Sequence, residues 1–75
     1  MPKLSPVKPR DLIKFLNTKG FFEIRQKGSH KFFKHNDRRT TVVPYHSSKP
    51  IGKGLLRKIF SEIKINPQDF INRKS

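Results

Sequence analysis

Leu12, Ile13, Phe15 and Leu16 recur at i, i+3 and i+4 in an otherwise polar stretch, which is an apolar stripe along one side of a helix. Pro9 suits the first turn of that helix, because the N–H it lacks would have had no helical acceptor there. Asp11 favours the positive end, Lys19 the negative end, and Gly20 stops the run, so a helix is expected over residues 9–19. The period then shortens to two. Along Phe21–Lys27, Phe22, Ile24 and Gln26 fall on one face and Glu23, Arg25 and Lys27 on the other. Lys27-Gly28-Ser29 turns the chain into a second strand, His30–His35, with His30, Phe32 and Lys34 on one side and Lys31, Phe33 and His35 on the other. Asn36-Asp37-Arg38 has the polar chemistry of a hairpin loop. Arg39–Tyr45 reads as a third strand that Pro44 places at an edge or at its end.

Beyond a loop over His46–Gly54, Leu55, Leu56, Ile59, Phe60 and Ile63 return to helical spacing, predicting a second helix over about 52–64. Asn66 then caps a short third helix with Pro67 at its first position and Asp69 in its first turn, docked by Phe70 and Ile71. The expected fold is α+β: a three-stranded antiparallel meander with the helices on one face and a short extra C-terminal helix. The other face of the sheet is expected to be polar and basic, and most phenylalanines to be core. Phe21 and Phe33, on the less clearly apolar faces, remain the candidates for stacking on bases. The 75 residues make one domain, with 1–7 and 72–75 as loose ends.

Charge changes the picture more than length does. Lys and Arg number 18 against 5 Asp and Glu, a formal net charge of +13. Self-repulsion on that scale opposes a compact state, so the natural partner is a polyanion, nucleic acid first. The cations are interleaved with the apolar pattern, which makes the folded surface itself basic. No cysteine is present, in keeping with a reducing cytoplasm, and no apolar run is long enough to span a membrane. The charged, proline-bearing start of the chain lacks the apolar centre of a signal peptide.

The stretch Gln26-Lys27-Gly28-Ser29-His30-Lys31 stands out, because a glycine turn delivers a histidine to the beginning of a strand. From position alone, His30 is either an ordinary strand histidine or the centre of a working site. His35 adjoins a turn and reads as surface. His46, at the end of the third strand, is a candidate for a second proton-transfer role. Gly52-Lys53-Gly54 before a helix is either a flexible entry or a source of backbone N–H groups for a phosphate. Lys49, Lys53, Arg57 and Lys58 form a basic run that suits an RNA backbone. Neither the histidine spacing nor the scattered acids suggest a metal site or any cofactor.

Four pieces in order carry a resemblance: Lys8-Pro-Arg-Asp-Leu-Ile-Lys-Phe-Leu, Arg25-Gln-Lys-Gly-Ser-His30, Arg39-Thr-Thr-Val-Val-Pro44 leading to His46, and Gly52-Lys-Gly-Leu-Leu-Arg-Lys-Ile59. With these the chain resembles the HicA, or YcfA-like, family of small bacterial toxins from Lys8 to about Phe70. Lys31 follows His30 where that family often has a second histidine or an aromatic residue, and Leu55 stands where it often has threonine. The resemblance implies a double-stranded-RNA-binding-domain-like fold. It implies an endoribonuclease that cleaves messenger RNA without a metal, and a HicB-like antitoxin that covers the active site. It also implies that His30, in Gly-Ser-His, is catalytic.

The chemistry is coherent with that. RNA carries its own nucleophile, the 2′-hydroxyl, so an enzyme need only move protons and stabilise the charged phosphorane. Histidine, which ordinarily titrates near neutrality, suits the first task and cations the second. The candidate RNA contacts are Lys27, Ser29, Lys31, Lys34, Lys53 and Arg57. Two other readings fit the same composition: a non-catalytic RNA-binding module of this fold, and a DNA-binding or protein-interaction role for the basic face.

Overall fold

The structure, a computed structural model, describes residues 4–46 and 48–73. Helix α1 spans Pro9–Thr18 and buries Pro9, Leu12, Phe15 and Leu16; three of the four residues of the expected stripe are core, and the fourth, Ile13, is half-buried at its margin. Gly20 takes φ +89°, a conformation that costs glycine little, and turns the chain into the sheet. Strands β1 (Phe21–Lys27), β2 (His30–His35) and β3 (Thr40–Pro44) form an antiparallel meander in that order. Helix α2 (Lys53–Ile63) buries Leu56, Ile59, Phe60 and Ile63 against the same face of the sheet. It ends at Lys64, which adopts left-handed geometry (φ +56°) without being glycine. In α3 (Pro67–Ile71) the Asn66 side chain accepts from the Gln68 N–H at 2.9 Å, and Phe70 is driven into the core.

Three aromatic rings hold the helices together. Phe15 and Phe70 meet edge to face at 5.1 Å between centroids, and Phe60 lies 6.1 Å from Phe15 and 5.7 Å from Phe70. Burying a side chain of this size contributes about 1.5–3 kcal/mol, so the five-residue α3 persists on Phe70 and its cap despite being too short to be stable alone.

The ends of the chain are better anchored than the sequence suggests. Val7 and Ile51 exchange backbone hydrogen bonds at 3.0 and 2.7 Å, and Leu4 and Val7 pack on the core. Arg73 donates to the Phe70 carbonyl at 2.8 Å and covers its ring. The remainder of the expected loose ends, residues 1–3 and 74–75, lies outside the described residues.

The two faces of the sheet are the reverse of the expectation. Phe21 (2% exposed) and Phe33 (1%) point into the helix layer, so they are core and unavailable for stacking on bases. Phe22 and Ile24 are about half exposed, and Phe32 lies only partly covered on the open face. The open face is therefore mixed, apolar as well as basic, and not simply polar. A bulge explains why the alternation misled. Glu23 pairs with Phe33 and Arg25 with Phe32, which leaves Ile24 as an extra residue. Ile24 thus joins an apolar pattern to which it does not geometrically belong.

Candidate active site

The hairpin between β1 and β2 is a two-residue turn, with Lys27 paired to His30 across it. Gly28, at its first central position, has φ +59°, while Ser29 does not take a positive φ. That combination belongs to a type II′ turn, whose twist matches that of the flanking strands. Gln26 donates from Nε2 to the Gly28 carbonyl at 3.0 Å, and the Tyr45 N–H donates to the Ser29 carbonyl at 2.6 Å. The turn is thus clamped from both neighbouring strands.

His30 sits directly after this turn, between Lys27 on β1 and Pro44 on β3. Its side chain is exposed, and among the described residues no group hydrogen-bonds its imidazole. Sharing a face with Phe32 does not bury it, because that face is the open one. Lys27 lies one cross-strand step away, about 5 Å between Cα atoms. Lys34 is on the same face but four residues further along β2, about 13 Å away. Arg25 covers the Phe32 ring at 4.4 Å between them.

The other predicted RNA contacts fall elsewhere. Lys31 projects to the helix side of the sheet, where its Nζ lies 3.2 Å from Glu23 Oε1 and 4.8 Å from the Tyr45 ring centroid. Ser29 is half-buried, with its carbonyl engaged. Lys53 and Arg57 are exposed, one turn apart on α2, in the helix layer.

The packing direction nevertheless gathers many of these at one end of the molecule. Arg39 Nη1 donates to the Ile63 carbonyl at the end of α2, and Thr41 donates to Glu62 at 2.9 Å. Helix α2 therefore runs antiparallel to β3, and its first residue, Lys53, lies toward the Pro44 and His30 end. The start of α1 reaches the same end, where Lys8, Pro9, Arg10, Tyr45 and His46 surround one cavity. Lys8, Arg10, Lys27, His30, Lys31, His46 and Lys53 thus cluster at one pole, a field that draws in anions. Lys8, Arg10 and Tyr45 carry no local sequence signal for this. They come together only because α1 packs antiparallel to β3.

His35 belongs to the opposite pole and is structural, where a surface position was expected. Its ring packs edge-on against Phe21 at 5.1 Å and accepts the Asp37 N–H at Nδ1, 3.0 Å away. Asp37 is gripped by Arg39, whose Nε lies 2.8 and 3.0 Å from its two carboxylate oxygens. That guanidinium hydrogen bond lowers the Asp37 pKa to about 2.

Among the described residues no group of three His, Cys, Asp or Glu side chains is assembled to hold a metal ion, and no helix is long and apolar enough to cross a membrane. A comparison with curated proteins returns no match. A family model for the HicA toxin of bacterial toxin-antitoxin matches residues 9–65, from the first residue of α1 to just beyond α2, and so takes in the whole sheet and the Gly28-Ser29-His30 turn. The chain belongs to the HicA toxin family, the toxin side of a bacterial toxin–antitoxin pair.

Proposed function

We propose that this toxin is an endoribonuclease that cuts messenger RNA in the cytoplasm without a metal, with His30 as its catalytic residue and a HicB-like antitoxin as its partner. The observation that carries the reading is the setting of His30: an exposed imidazole on a clamped turn, at a strongly cationic end of the molecule, with Lys27 beside it. In this scheme the imidazole takes the 2′-hydroxyl proton or supplies one to the departing 5′-oxygen. The 2′-oxygen attacks the adjacent phosphorus, and the Lys27 ammonium offsets the charge that grows on the phosphorane. Lys34 and Arg25 hold flanking phosphates on the same face, and Lys53 and Arg57 hold more distant ones. Lys31, paired with Glu23, acts on RNA only at the rim. An antitoxin that covers the His30 pole would block all of this at once.

The test is cleavage of a synthetic RNA in the presence of EDTA, by wild type and by His30→Ala. Loss of a proton-transfer group costs about 10²–10⁴ in rate. The products of wild type should carry a 2′,3′-cyclic or 3′ phosphate and a free 5′-hydroxyl, and a deoxyribose at the scissile position should abolish cutting. Retained cleavage by a folded His30→Ala variant, or binding of RNA that wild type never cuts, would overturn the reading. The second outcome would leave an RNA-binding module.

A further inference from the structure

The cavity at the start of α1 lies outside the His30 face, about 210 Å³ in volume and walled by Lys8, Pro9, Arg10, Tyr45 and His46. Its lining joins two cations to two flat rings. Lys31 Nζ lies over the Tyr45 ring and adds a third positive charge at the rim. Its volume is below the 300–1,000 Å³ usual for sites that enclose a whole small molecule, so it suits part of a longer chain better than a free ligand. A larger cavity of about 380 Å³ between the N-terminal segment and α3 offers less, because Asp11 opposes the cations in its wall and its only ring, Phe70, is buried.

Position favours an extended polymer. Pro44 is the cross-strand partner of His30, and His46 follows it by two residues. One cross-strand step and two residues of chain put the His30 and His46 Cα atoms at most about 12 Å apart. A strand of RNA lying on His30 would therefore reach the cavity within one or two nucleotides.

We infer that this cavity is a subsite for a nucleotide flanking the one at His30, its phosphate held by Lys8 and Arg10 and its base packed on Tyr45 and His46. The inference rests on the RNA-cleaving reading above and gives that reading a second contact. In this arrangement His46 recognises RNA and takes no part in proton transfer.

The experiment is binding, by fluorescence anisotropy, of a labelled 2′-O-methyl decaribonucleotide, which has no 2′-hydroxyl to attack and so reports affinity without cleavage. Removing two phosphate contacts in Lys8→Ala/Arg10→Ala should flatten the slope of log K against log salt by about 1.4, at about 0.7 per contact on single strands. Tyr45→Leu, which keeps apolar bulk and removes the ring, should weaken binding about 5- to 100-fold with little change in slope. Lys14→Ala/Lys19→Ala removes the same charge from the middle of α1 and from the residue just past its end, and should change both quantities less. Circular dichroism confirms that each variant is folded. Equal losses in the two double variants would mean that net charge alone is at work, and an unchanged affinity in Tyr45→Leu would remove the base site. Either result overturns the subsite. Failure of wild type to cut ordinary RNA while these differences persist would instead overturn the ribonuclease reading and leave the subsite standing.

Discussion

Gly20→Ala should destabilise the protein far more than an exposed loop residue normally would, and the reason lies in His35. A Cβ at residue 20 would stand 2.8 Å from His35 Nε2 and 3.0 Å from Cδ2, closer than a methyl group tolerates. The ring is not free to swing away, because it packs on Phe21 and accepts the Asp37 N–H. Giving way forfeits an aromatic contact of about 0.5–1.5 kcal/mol and a hydrogen bond of similar size. An L-residue at φ +89° adds about 1–2 kcal/mol of backbone strain. The expected cost is about 2–5 kcal/mol, a large part of the roughly 4–11 kcal/mol available to a chain this long. Urea unfolding followed by circular dichroism measures it, and a fall in Tm of about 10 °C or more should accompany it. The decisive comparison is the same substitution in a His35→Ala background. With the ring gone only the backbone part, about 1–2 kcal/mol, should remain. Equal costs in both backgrounds would refute the role assigned to the ring.

Three further outcomes follow from the packing. Phe33→Ala should cost about 3–5 kcal/mol and Phe32→Ala under about 1 kcal/mol, because only the former ring is enclosed; a reversed order in urea titrations would restore the opposite face as core. The Asp37 carboxylate, followed by NMR, should titrate near pH 2 and move up toward the ordinary carboxylate range in Arg39→Ala. Its folded value lies below the unfolded one of about 3.9, so the pairing adds stability above about pH 4 and loses it as pH falls toward 2. Lys64→Gly should raise stability by about 0.5–1 kcal/mol, since glycine takes the left-handed helix end without strain.

The helices and most of their buried residues were legible in the sequence because a 3.6-residue stripe such as Leu12, Phe15, Leu16 has one buried side; the residues at the stripe margins, Ile13 and Leu55, are half-buried and exposed instead. The strands were legible in extent but not in face. Phe21-Phe22, Phe32-Phe33 and Val42-Val43 are adjacent apolar pairs, and a shift of one residue exchanges core for surface in each. Counting apolar positions on β1 favours Phe22 with Ile24, yet Ile24 owes its place to a bulge that no local residue announces. What decides the face is Gly20, whose turn out of α1 commits Phe21 to the helix side. His30 was marked by its glycine turn, but whether it reached solvent depended on that same choice of face. Lys31 stands on the face opposite His30, as the alternation predicts, yet it is spent on Glu23 and Tyr45, which the sequence did not announce.

The five acidic residues explain why the cationic pole stays cationic. Asp37 and Glu62 are engaged at the end opposite His30, by Arg39 and Thr41. Asp69 sits in the first turn of α3. Only Glu23, held by Lys31, and Asp11, in the first turn of α1, lie toward the cationic side, so they leave Lys8, Arg10, Lys27 and Lys53 largely unneutralised. Asp37 and Glu62 thus fasten a turn and the end of α2 to β3, while at the His30 pole Glu23 and Asp11 offset only part of the charge of Lys8, Arg10, Lys27, Lys31 and Lys53. Mutual repulsion among the cations of that pole opposes folding, and ties at the other end, Arg39 to Ile63 above all, resist it. A phosphate chain or an acidic antitoxin laid across the pole would relieve the repulsion, so either partner should stabilise the toxin as well as engage it.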